Sequence, residues 1–585
     1  MILVNNNQYI VKGAFNGNTQ DCIDDLSTFS ELAFDIETTG LDCHTDNIFC
    51  MQFYTGKITY VVDLRYVDVQ LFKQILETKT LVGVNLKFDV KFLFKQNIFP
   101  KYFNDLMLNE INCYNGYYAD GEIEYGFKGL SKKYLKEDLN KSLGAAFSVK
   151  DYAENLFLDE LTYAAKDVEN LLKIKTLQAK NIKSRDVSTI CNLENKALYP
   201  IARMEFNGVN INKTKWQEVT LKIQAELKEC EKELNNKIID NLEGQKIQVN
   251  RKIQDIVLSY ETRAGEAVKI SNIKWSSPAQ VLEVFNKYNL KLSSTSSVDL
   301  KEVSHIIITM FQEWKKLDSL NSKFLSKLPE WLNPTTGYIH ADFWQIVSSG
   351  RMSCRNPNLQ QIPSKGPTAK DMRACYIGDP GELLVTTDYS NMEARLAAEI
   401  SGEDSWINAF INGEDLHSNT AVKTFEIDIS KVRDSFPGNP SMTYRDVAKS
   451  VNFGIIYGAG ASKLAQVINS DINKAKEVLE NYFKATPKLE QFLKNARAKS
   501  KLGVVRTPFF NRARFFNLKK GYAEKFKGSE GLLKSYERQA GNTIIQGANA
   551  DCTKNALILI QNYIDLHNFP AKIRLIVHDK QHCCG

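Results

Sequence analysis

Long hydrophobic runs are missing from this sequence of 585 residues. No stretch approaches the ~20 apolar residues that a membrane-spanning helix requires. The first residues, MILVNNNQYI, lack the basic and long apolar regions of a signal peptide. The 11 cysteines include no CxxC pair, a pattern typical of reduced thiols rather than of a disulfide framework. We therefore expect a cytoplasmic protein without a membrane partner.

Internal repeats, low-complexity tracts and a strong charge bias are also missing. The net charge of +6 is too small to indicate a nucleic-acid partner by itself. The content of 43% hydrophobic and 25% charged residues is ordinary for a folded protein. At roughly 100–200 residues per domain, the chain is long enough for several domains.

The pattern of elements changes along the chain. Strand-like and helix-like segments alternate up to about residue 180, which indicates an α/β domain. From about 190 to 330 the sequence is rich in Lys and Glu and predicts long, solvated helices. From 338 onward, strand-like segments are separated by a long, mostly helical region. We therefore predict an α/β domain, a helical connector and a larger mixed domain.

A first acidic pair stands in LAFDIETTGLD. Side chains alternate along a strand, so Asp35 and Glu37 project from the same face. Two adjacent carboxylates repel each other unless a cation lies between them, which is typical of a site for a hard metal ion. A solvated strand edge is the alternative for this motif alone.

Two further acidic segments follow. In VGVNLKFDVKFLF, a helix would bury Phe92 and Leu93 and turn Asp89 outward toward the other acids. In LTYAAKDVENLLKI, Tyr163 and Asp167 share a helix face by their spacing of four residues. Either segment alone also fits an ordinary amphipathic helix.

Taken in this order, the three segments resemble the proofreading 3′–5′ exonucleases. The resemblance implies that Asp35, Glu37, Asp89 and Asp167 hold two Mg²⁺ ions, which Mn²⁺ can replace. Such ions activate a water molecule and stabilise the leaving oxygen of a phosphodiester. Tyr163 would help to orient that water.

A second pair of aspartates ends two strand-like segments. ELLVTTDYSNMEAR delivers Asp388, and IRLIVHD delivers Asp579 near the end of the sequence. If both strands point to the same end of one sheet, the two carboxylates could hold a second pair of metal ions. Aspartates at strand ends are also common turn residues.

Two predicted helices between these strands carry polar faces. Arg445, Lys449 and Phe453 recur every four residues, so they share one face, which suits a triphosphate and a base. Arg538, Asn542 and Gln546 repeat this spacing and could donate hydrogen bonds to a duplex groove. A polar face toward solvent is the alternative for each helix.

The segments GRMSCRNPNLQQIP, DYSNMEAR, RDVAKSVNFGIIYG, VVRTPFFNRARF and VHD are together similar to the polymerase part of DNA polymerase family A. This resemblance implies a fold with two parts: an α/β exonuclease domain with a ribonuclease H-like mixed sheet, and a right-hand α+β polymerase with palm, fingers and thumb. The implied boundaries are 1–185 for the exonuclease, 186–335 for the connector and thumb, 336–430 for the first part of the palm, 431–535 for the fingers and 536–585 for an incomplete second part of the palm.

The family's roles can be carried over to the matching positions. Asp388 and Asp579 would bind two Mg²⁺ ions at the primer 3′-hydroxyl. Lys449 would protonate the leaving pyrophosphate, and Glu393 would exclude a 2′-hydroxyl. The implied nucleotide-binding residues are Arg445, Lys449, Phe453, Tyr457, Glu393 and His417. The implied DNA-binding residues are Arg351, Asn358, Gln360, Arg538, Asn542, Gln546 and His578. The basic stretch RARFFNLKKGYAEKFKG would meet phosphates or be a solvated loop.

The final residues depart from the family pattern. The last motif of the family reads His-Asp-Glu and continues for several dozen residues, whereas here Lys580 replaces the Glu and QHCCG follows. A cation beside a metal-binding aspartate opposes metal binding by about 1–4 kcal/mol at ~4 Å. We expect the palm sheet to lack a strand, through a frameshift or an intron at this motif. A metal site at His582, Cys583 and Cys584 is disfavoured, since no partner ligand lies nearby.

The leading hypothesis is a proofreading, template-directed DNA polymerase that acts as a monomer on primer–template DNA and dNTPs. The compact set of domains, without an upstream 5′-nuclease domain, is typical of a phage protein in an infected bacterium. One alternative is an exonuclease that binds primer–template but no longer polymerises. Another is a DNA-binding scaffold without activity. The thumb region shows no large insertion for a dedicated processivity factor, and the sequence names no replisome partner.

Overall fold

The computed structural model describes residues 1–117, 124–138, 150–249, 252–261, 266–301, 303–363, 366–517, 529–577 and 580–584. The chain divides into two units. The first comprises Met1–Gly208, His340–Gln360 and Glu382–Gly585, and the second comprises Val209–Ile339 and Gln361–Gly381. Across the described ranges, every helix is too short or too polar to span a bilayer.

The N-terminal part of the first unit contains a mixed sheet of seven strands. The strands are β1 Ile2–Val4, β2 Phe15–Gly17, β3 Glu31–Thr38, β4 Ile48–Tyr54, β5 Thr59–Asp63, β6 Thr80–Gly83 and β7 Phe103–Asp105. Their order is β2-β1-β5-β4-β3-β6-β7. Strand β4 runs antiparallel to β3 and β5, and the other neighbours are parallel. The predicted α/β domain with a mixed sheet is confirmed.

Helices cover both faces of this sheet. They are α1 Thr19–Ser27, α2 Lys73–Thr78, α3 Leu86–Lys95, α4 Leu106–Cys113, α5 Phe127–Tyr134, α6 Leu158–Glu169, α7 Leu171–Ser184 and α8 Ser188–Asn207. Along β3, Phe34 joins a cluster on one face, whereas Ala33 packs with Val168 of α6 on the other. Because side chains alternate along a strand, α6 lies on the same face as Asp35 and Glu37.

The second unit contains helices and short antiparallel strand pairs. Its helices are α9 Lys213–Leu242, α10 Pro278–Lys287, α11 Ser297–Lys301, α12 Ile306–Lys323, α13 Leu328–Trp331 and α14 Pro367–Arg373. Its strands are β8 Asn210–Ile211, β9 Lys246–Val249, β10 Lys252–Asp255, β11 Val257–Glu261, β12 Ala267–Ser271 and β15 Tyr376–Ile377. The pairs β9–β10 and β11–β12 follow α9. The prediction of long helices from about 190 to 330 is met by α9 and α12 but missed these strands, although KIQV and KIQD show the alternation typical of strands.

The remainder of the first unit contains a three-stranded sheet and a mostly helical region. Its strands are β13 Asp342–Trp344, β14 Ser353–Arg355, β16 Leu384–Asp388, β17 Ser435–Phe436, β18 Asn439–Thr443, β19 Val504–Arg506, β20 Ala513–Phe515, β21 Lys572–Val577 and β22 Lys580–Cys584. Its helices are α15 Met392–Ser401, α16 Asp404–Ile411, α17 Leu416–Phe425, α18 Tyr444–Ile456, α19 Ala461–Ile468, α20 Ile472–Ala485, α21 Pro487–Lys501 and α22 Ser529–Leu566.

The short tail forms the central strand of the three-stranded sheet, whose order is β16-β22-β21. We expected this sheet to lack a strand, but β22 pairs antiparallel with both neighbours. Residue 580 lies opposite Asp388 on one side and opposite Val577 on the other. Strands β16 and β21 are therefore parallel and end at the same edge of the sheet. The backbone pairing, rather than the unusual composition of KQHCC, defines this strand.

Candidate active sites

Three carboxylates gather on one face of the seven-stranded sheet. Asp35 and Glu37 lie two residues apart on β3, and Asp167 lies on α6, which packs on that face. Their carboxylate oxygens lie within 4.8 Å of one another. Hard divalent cations prefer oxygen ligands at such spacing, so this donor set fits a divalent cation. The structure thus brings together three of the four acidic residues that the sequence predicted as metal ligands.

The fourth acid, Asp89, lies in the first turn of α3. Phe92 and Leu93 anchor this helix in the core, as the sequence indicated. Asp89 itself is only 3% exposed, so it does not turn toward solvent, but it lies close enough to Asp35 to feel that charge, as the prediction that it faces the other acids requires. Burial and the charge of Asp35 raise the pKa of Asp89 well above its usual value. A cation near Asp35 would lower that pKa and favour the ionised form of Asp89.

Tyr163 lies one helical turn before Asp167 on α6 and hydrogen-bonds to its carboxylate. Burial and the charges of Asp167 and Glu37 raise the pKa of Tyr163. The phenol is therefore a neutral hydrogen-bond donor at pH 7. A donor beside paired carboxylates can orient a water molecule or a phosphate oxygen.

A cleft of about 710 Å³ opens beside these acids, and Asp35 and Asp167 line it. Its other walls contain cationic and aromatic side chains. They include Lys87, Phe88, Lys91, Phe127, Trp344 and Arg355. Cations suit phosphates, and flat rings suit unstacked bases, which is typical of single-strand sites. The cleft therefore combines cationic and aromatic side chains next to the carboxylates, with Lys87 and Lys91 paired to Glu205 and Arg355 paired to Asp342.

The second acidic pair is only partly described. Asp388 ends β16 and is exposed. Asp579 and His578 lie outside the described residues. Strand β21 ends at Val577, level with Asp388 across β22. The two strand ends thus lie at one edge of the sheet, as the prediction of a shared metal site requires.

Arg445 opens the predicted nucleotide-binding face on α18. Its guanidinium makes two hydrogen bonds to the carboxylate of Asp415, from Nε at 2.6 Å and from a terminal nitrogen at 2.7 Å. Arg445 thereby holds the pKa of Asp415 well below its usual range. Asp415 also caps α17 by accepting from the amide of Ser418 at 3.0 Å. This pair fixes the orientation of the guanidinium.

The other members of this face are accessible or aromatic. Lys449 is exposed, and among the described residues it forms no ion pair. Phe453 lies between His417, at 5.8 Å between ring centroids, and Tyr457, at 6.3 Å. Burial lowers the pKa of His417 to about 4, so its imidazole is neutral at pH 7. Its Nδ1 lies 3.0 Å from the side-chain nitrogen of Asn452.

Glu393 connects this face to the segment before β14. It is 7% exposed, accepts a hydrogen bond from the Tyr457 hydroxyl at 2.5 Å, and forms an ion pair with Arg351. Burial and the hydrogen bond to Glu393 raise the pKa of Tyr457, so the phenol remains a donor. Three of the predicted residues therefore form one bonded group.

The predicted DNA-binding residues fall into two sets. Arg538, Asn542 and Gln546 lie along one face of α22, with Arg538 exposed and the others half-buried. Asn358 accepts from the amide of Gln360 at 3.2 Å. The Gln360 side chain donates to the Ile576 carbonyl of β21 at 3.4 Å. The basic stretch is described only up to residue 517.

A comparison with models of protein families shows which family the chain belongs to. A model of "DNA polymerase family A" matches residues 239–581, which is more than half of the sequence. The chain belongs to DNA polymerase family A. A model of "3'-5' exonuclease" matches residues 16–181 of the same chain. The resemblance predicted from the motifs is confirmed, and both domain types imply the use of divalent cations.

Individual relatives agree with this assignment. The family A chain is 27% identical to DNA polymerase I of Borreliella burgdorferi over 96% of its own length and 59% of that protein. It is 25% identical to DNA polymerase I of Pseudomonas aeruginosa, over 94% and 59%. The chain thus spans less than two thirds of the length of these relatives.

One solved structure shows the same fold. It is the POL domain of Pol1 from M. smegmatis in complex with DNA primer-template and dNTP. It matches with a TM-score of 0.76 at 18% identity, covering 96% of this family A chain and 91% of that one. Together with the two family models, this likeness of fold confirms the predicted architecture, an exonuclease domain followed by an α+β polymerase.

Several residues at these sites escaped the sequence reasoning. Asp415 pairs with Arg445 from 30 positions away, and nothing in the local pattern indicates that contact. Glu205 binds Lys87 and Lys91, which flank Asp89 on α3. The spacing of Lys87 and Lys91 around Asp89 could have indicated that the two lysines share a partner. The sequence could not show that the partner is Glu205, because the contact between α8 and α3 joins distant parts of the chain.

Proposed function

We propose that this chain synthesises DNA on a template and removes nucleotides from primer 3′ ends. The observation that carries the proposal is the cluster of Asp35, Glu37 and Asp167 beside a cationic and aromatic cleft, in a chain of DNA polymerase family A. The named relatives are DNA polymerases I, and the M. smegmatis structure contains primer-template and dNTP. Primer–template DNA and dNTPs are therefore the proposed partners.

At the exonuclease site, Asp35, Glu37, Asp89 and Asp167 would hold Mg²⁺, which Mn²⁺ can replace. When bound, such ions activate water and stabilise the charge that develops on the leaving oxygen. Tyr163 donates a hydrogen bond in this group and would orient the water. The cleft would place the last nucleotides of a single strand against these acids.

At the polymerase site, Asp388 and Asp579 would hold the divalent cations. Arg445 is already oriented by Asp415, so its other terminal nitrogen can meet a triphosphate oxygen with little loss of side-chain entropy. Lys449 would contact the same group and supply a proton to pyrophosphate. The ring of Phe453 would pack against the incoming base.

Residues next to the polymerase site would select the sugar of the nucleotide and contact the DNA. Glu393, held by Arg351 and Tyr457, would crowd a 2′-hydroxyl and favour deoxynucleotides. The face of α22 and the Gln360 segment would contact the primer–template. The domain boundaries at about 185, 335, 430 and 535, a monomeric state and a phage origin belong to this proposal as well.

A second candidate function is exonuclease activity and primer–template binding without polymerisation. The observation that favours it is Lys580, which follows Asp579 directly in the sequence where the family carries a glutamate. A cation next to a metal-binding aspartate opposes divalent metal binding.

Variants that separate the two activities test the proposal. We expect the double variant Asp35→Ala, Glu37→Ala to lose primer shortening at least 1,000-fold and to retain extension, since two of the four ligands are removed. We expect Asp388→Ala to lose extension and to retain shortening. Glu477→Gln, which removes one partner of an exposed ion pair, is the matched control and should leave both activities unchanged.

The assay is a gel of end-labelled primer–template with Mg²⁺, with and without dNTPs. Persistent shortening by the double variant would refute the assignment of the nuclease acids. Shortening without any extension by the unmodified chain would favour the second candidate function.

A further inference from the structure

The turn before Arg351 is tightly built. The amide of Gly350 donates to the carbonyl of Val347 at 2.7 Å, and the amide of Val347 donates to the carbonyl of Arg351 at 2.9 Å. Gly350 has a φ of +85°, in the region that favours glycine. A Cβ at this position would lie 2.5 Å from Nε of Arg512. The turn is therefore pressed against a buried guanidinium.

Lys554 of α22 binds both ends of this turn. Its Nζ donates to the carbonyl of Gln345 at 2.8 Å and to the carbonyl of Gly350 at 2.9 Å. Its third hydrogen bond goes to the carboxylate of Glu194 on α8, at 2.6 Å. The Lys554 side chain is 1% exposed. A buried ammonium with three acceptors is held in one orientation, because a lost hydrogen bond would leave a charge unsatisfied.

The charged side chains around Lys554 restrict its position further. Arg512 pairs with Glu194 and also donates through Nε to Asp551 at 2.7 Å. Thr507 donates to the other oxygen of Asp551, at 2.7 Å. The group holds two cations and two anions, so its charge is balanced. Although burial alone would raise it, Lys554 and Arg512 lower the pKa of Glu194, which stays ionised at pH 7.

The turn leads directly into the bonded group at the polymerase site. Arg351 follows Gly350, and its guanidinium pairs with Glu393. Glu393 also accepts from Tyr457. The covalent path from the carbonyl that Lys554 fixes to the start of the Arg351 side chain is a single peptide unit, which is planar and stiff.

We propose that Lys554 is a positioning residue for nucleotide selection. Its ammonium fixes the Gln345–Gly350 segment so that Arg351 holds Glu393 against the sugar of an incoming nucleotide. This inference rests on the proposed polymerase function and on the role of Glu393 in it. Lys554 itself touches neither the nucleotide nor the metal ligands. Without it, the turn gains freedom, the hold on Glu393 weakens, and ribonucleotides are excluded less strictly.

A purely structural role for the buried charges would have a different signature. Breaking any buried ion pair destabilises a protein, whatever its place in the fold. The pair Arg65–Asp63 in the exonuclease part is equally buried, with side chains 5% and 0% exposed. Arg65→Met is therefore a matched control for general destabilisation, because it breaks a comparable pair far from the turn in sequence.

Three variants test the proposal: Lys554→Met, Gly350→Ala and Arg65→Met. Discrimination is measured as the ratio of kcat/KM for a dNTP to that for the matching rNTP, at a temperature where circular dichroism shows each variant folded. Hydrogen exchange read by mass spectrometry follows the peptide covering residues 345–351. We expect exchange at least tenfold faster and discrimination at least tenfold lower in Lys554→Met and Gly350→Ala. Arg65→Met should change neither.

Several outcomes would overturn the proposal. These are unchanged discrimination or unchanged exchange in folded Lys554→Met, and equal changes in Arg65→Met. If Lys554→Met does not fold, Gly350→Ala decides whether the turn controls discrimination, since it keeps all four charges while its Cβ strains the turn and displaces Arg512; unchanged discrimination in folded Gly350→Ala would then overturn the proposal. If the unmodified chain does not extend a primer, the polymerase function itself fails and the selection role falls with it. The exchange data then still decide whether Lys554 holds the turn.

Discussion

Glu205 of α8 is the residue whose loss we expect to loosen the exonuclease site most selectively. It is 3% exposed and accepts hydrogen bonds from Lys87, from Lys91 at 2.8 Å and from the amide of Phe343 at 2.7 Å. Glu205→Gln keeps the shape but removes the charge that both ammonium groups share. Among the described residues, only Lys87 retains a carboxylate within ion-pair distance, Asp342 at 3.2 Å.

The expected magnitude follows from this geometry. Removing one partner of a buried ion pair typically costs about 3–5 kcal/mol. The two lysine side chains are 14% and 21% exposed and can turn partly toward water, which favours the lower end. About 3 kcal/mol corresponds to roughly 100-fold, at about 1.4 kcal/mol per factor of ten. We therefore expect amides of α3, the helix that carries Asp89, to exchange roughly 100-fold faster in Glu205→Gln.

The assay is native-state hydrogen exchange, followed by mass spectrometry on peptides covering Leu86–Lys95. Glu477→Gln is the matched control, because it removes the same charge from a pair with side chains 54% and 58% exposed. Exposed pairs contribute about 0–1 kcal/mol, so the control should exchange as the unmodified chain does. Acceleration of less than tenfold in α3, or equal acceleration throughout the chain, would refute the reasoning.

Three further predictions concern charged and titratable side chains. Lys580→Glu replaces the cation that follows Asp579 in the sequence by a carboxylate, so primer extension should need about tenfold less Mg²⁺; an unchanged Mg²⁺ titration would contradict this. Burial and His340, at 4.0 Å between ring centroids, lower the pKa of His44 to about 4. In the unfolded chain a histidine has a pKa of about 6.5. Between pH 6.5 and 4, His44 is therefore protonated in the unfolded chain and mostly neutral in the folded one. Stability is thus lost as the pH falls through that window, and His44→Phe should flatten the pH dependence of the urea midpoint. Lys449→Ala should slow extension at least 100-fold without affecting primer shortening, as timed gels would show.

Local periodicity made much of the fold and of the sites predictable. The alternation along β3 placed Asp35 and Glu37 on one face, and the spacing of four residues placed Tyr163 next to Asp167. These relations depend on the geometry of a single element. The two helical faces on α18 and α22 were predictable for the same reason.

Contacts between distant parts of the chain were not predictable. Lys554 and Glu194 are 360 residues apart and meet only because α22 packs against α8. The burial of Asp89 depends on the fold around α3 rather than on its own sequence. The strand β22 was missed because its pairing with two neighbours outweighs its weak strand composition.

The most direct test of the central claim is a primer-extension gel with the unmodified 585-residue chain and Mg²⁺. We predict that an end-labelled primer shortens without dNTPs and lengthens when dNTPs are added. Shortening in both lanes would contradict the polymerase half of the account, and an unchanged primer in both lanes would contradict all of it.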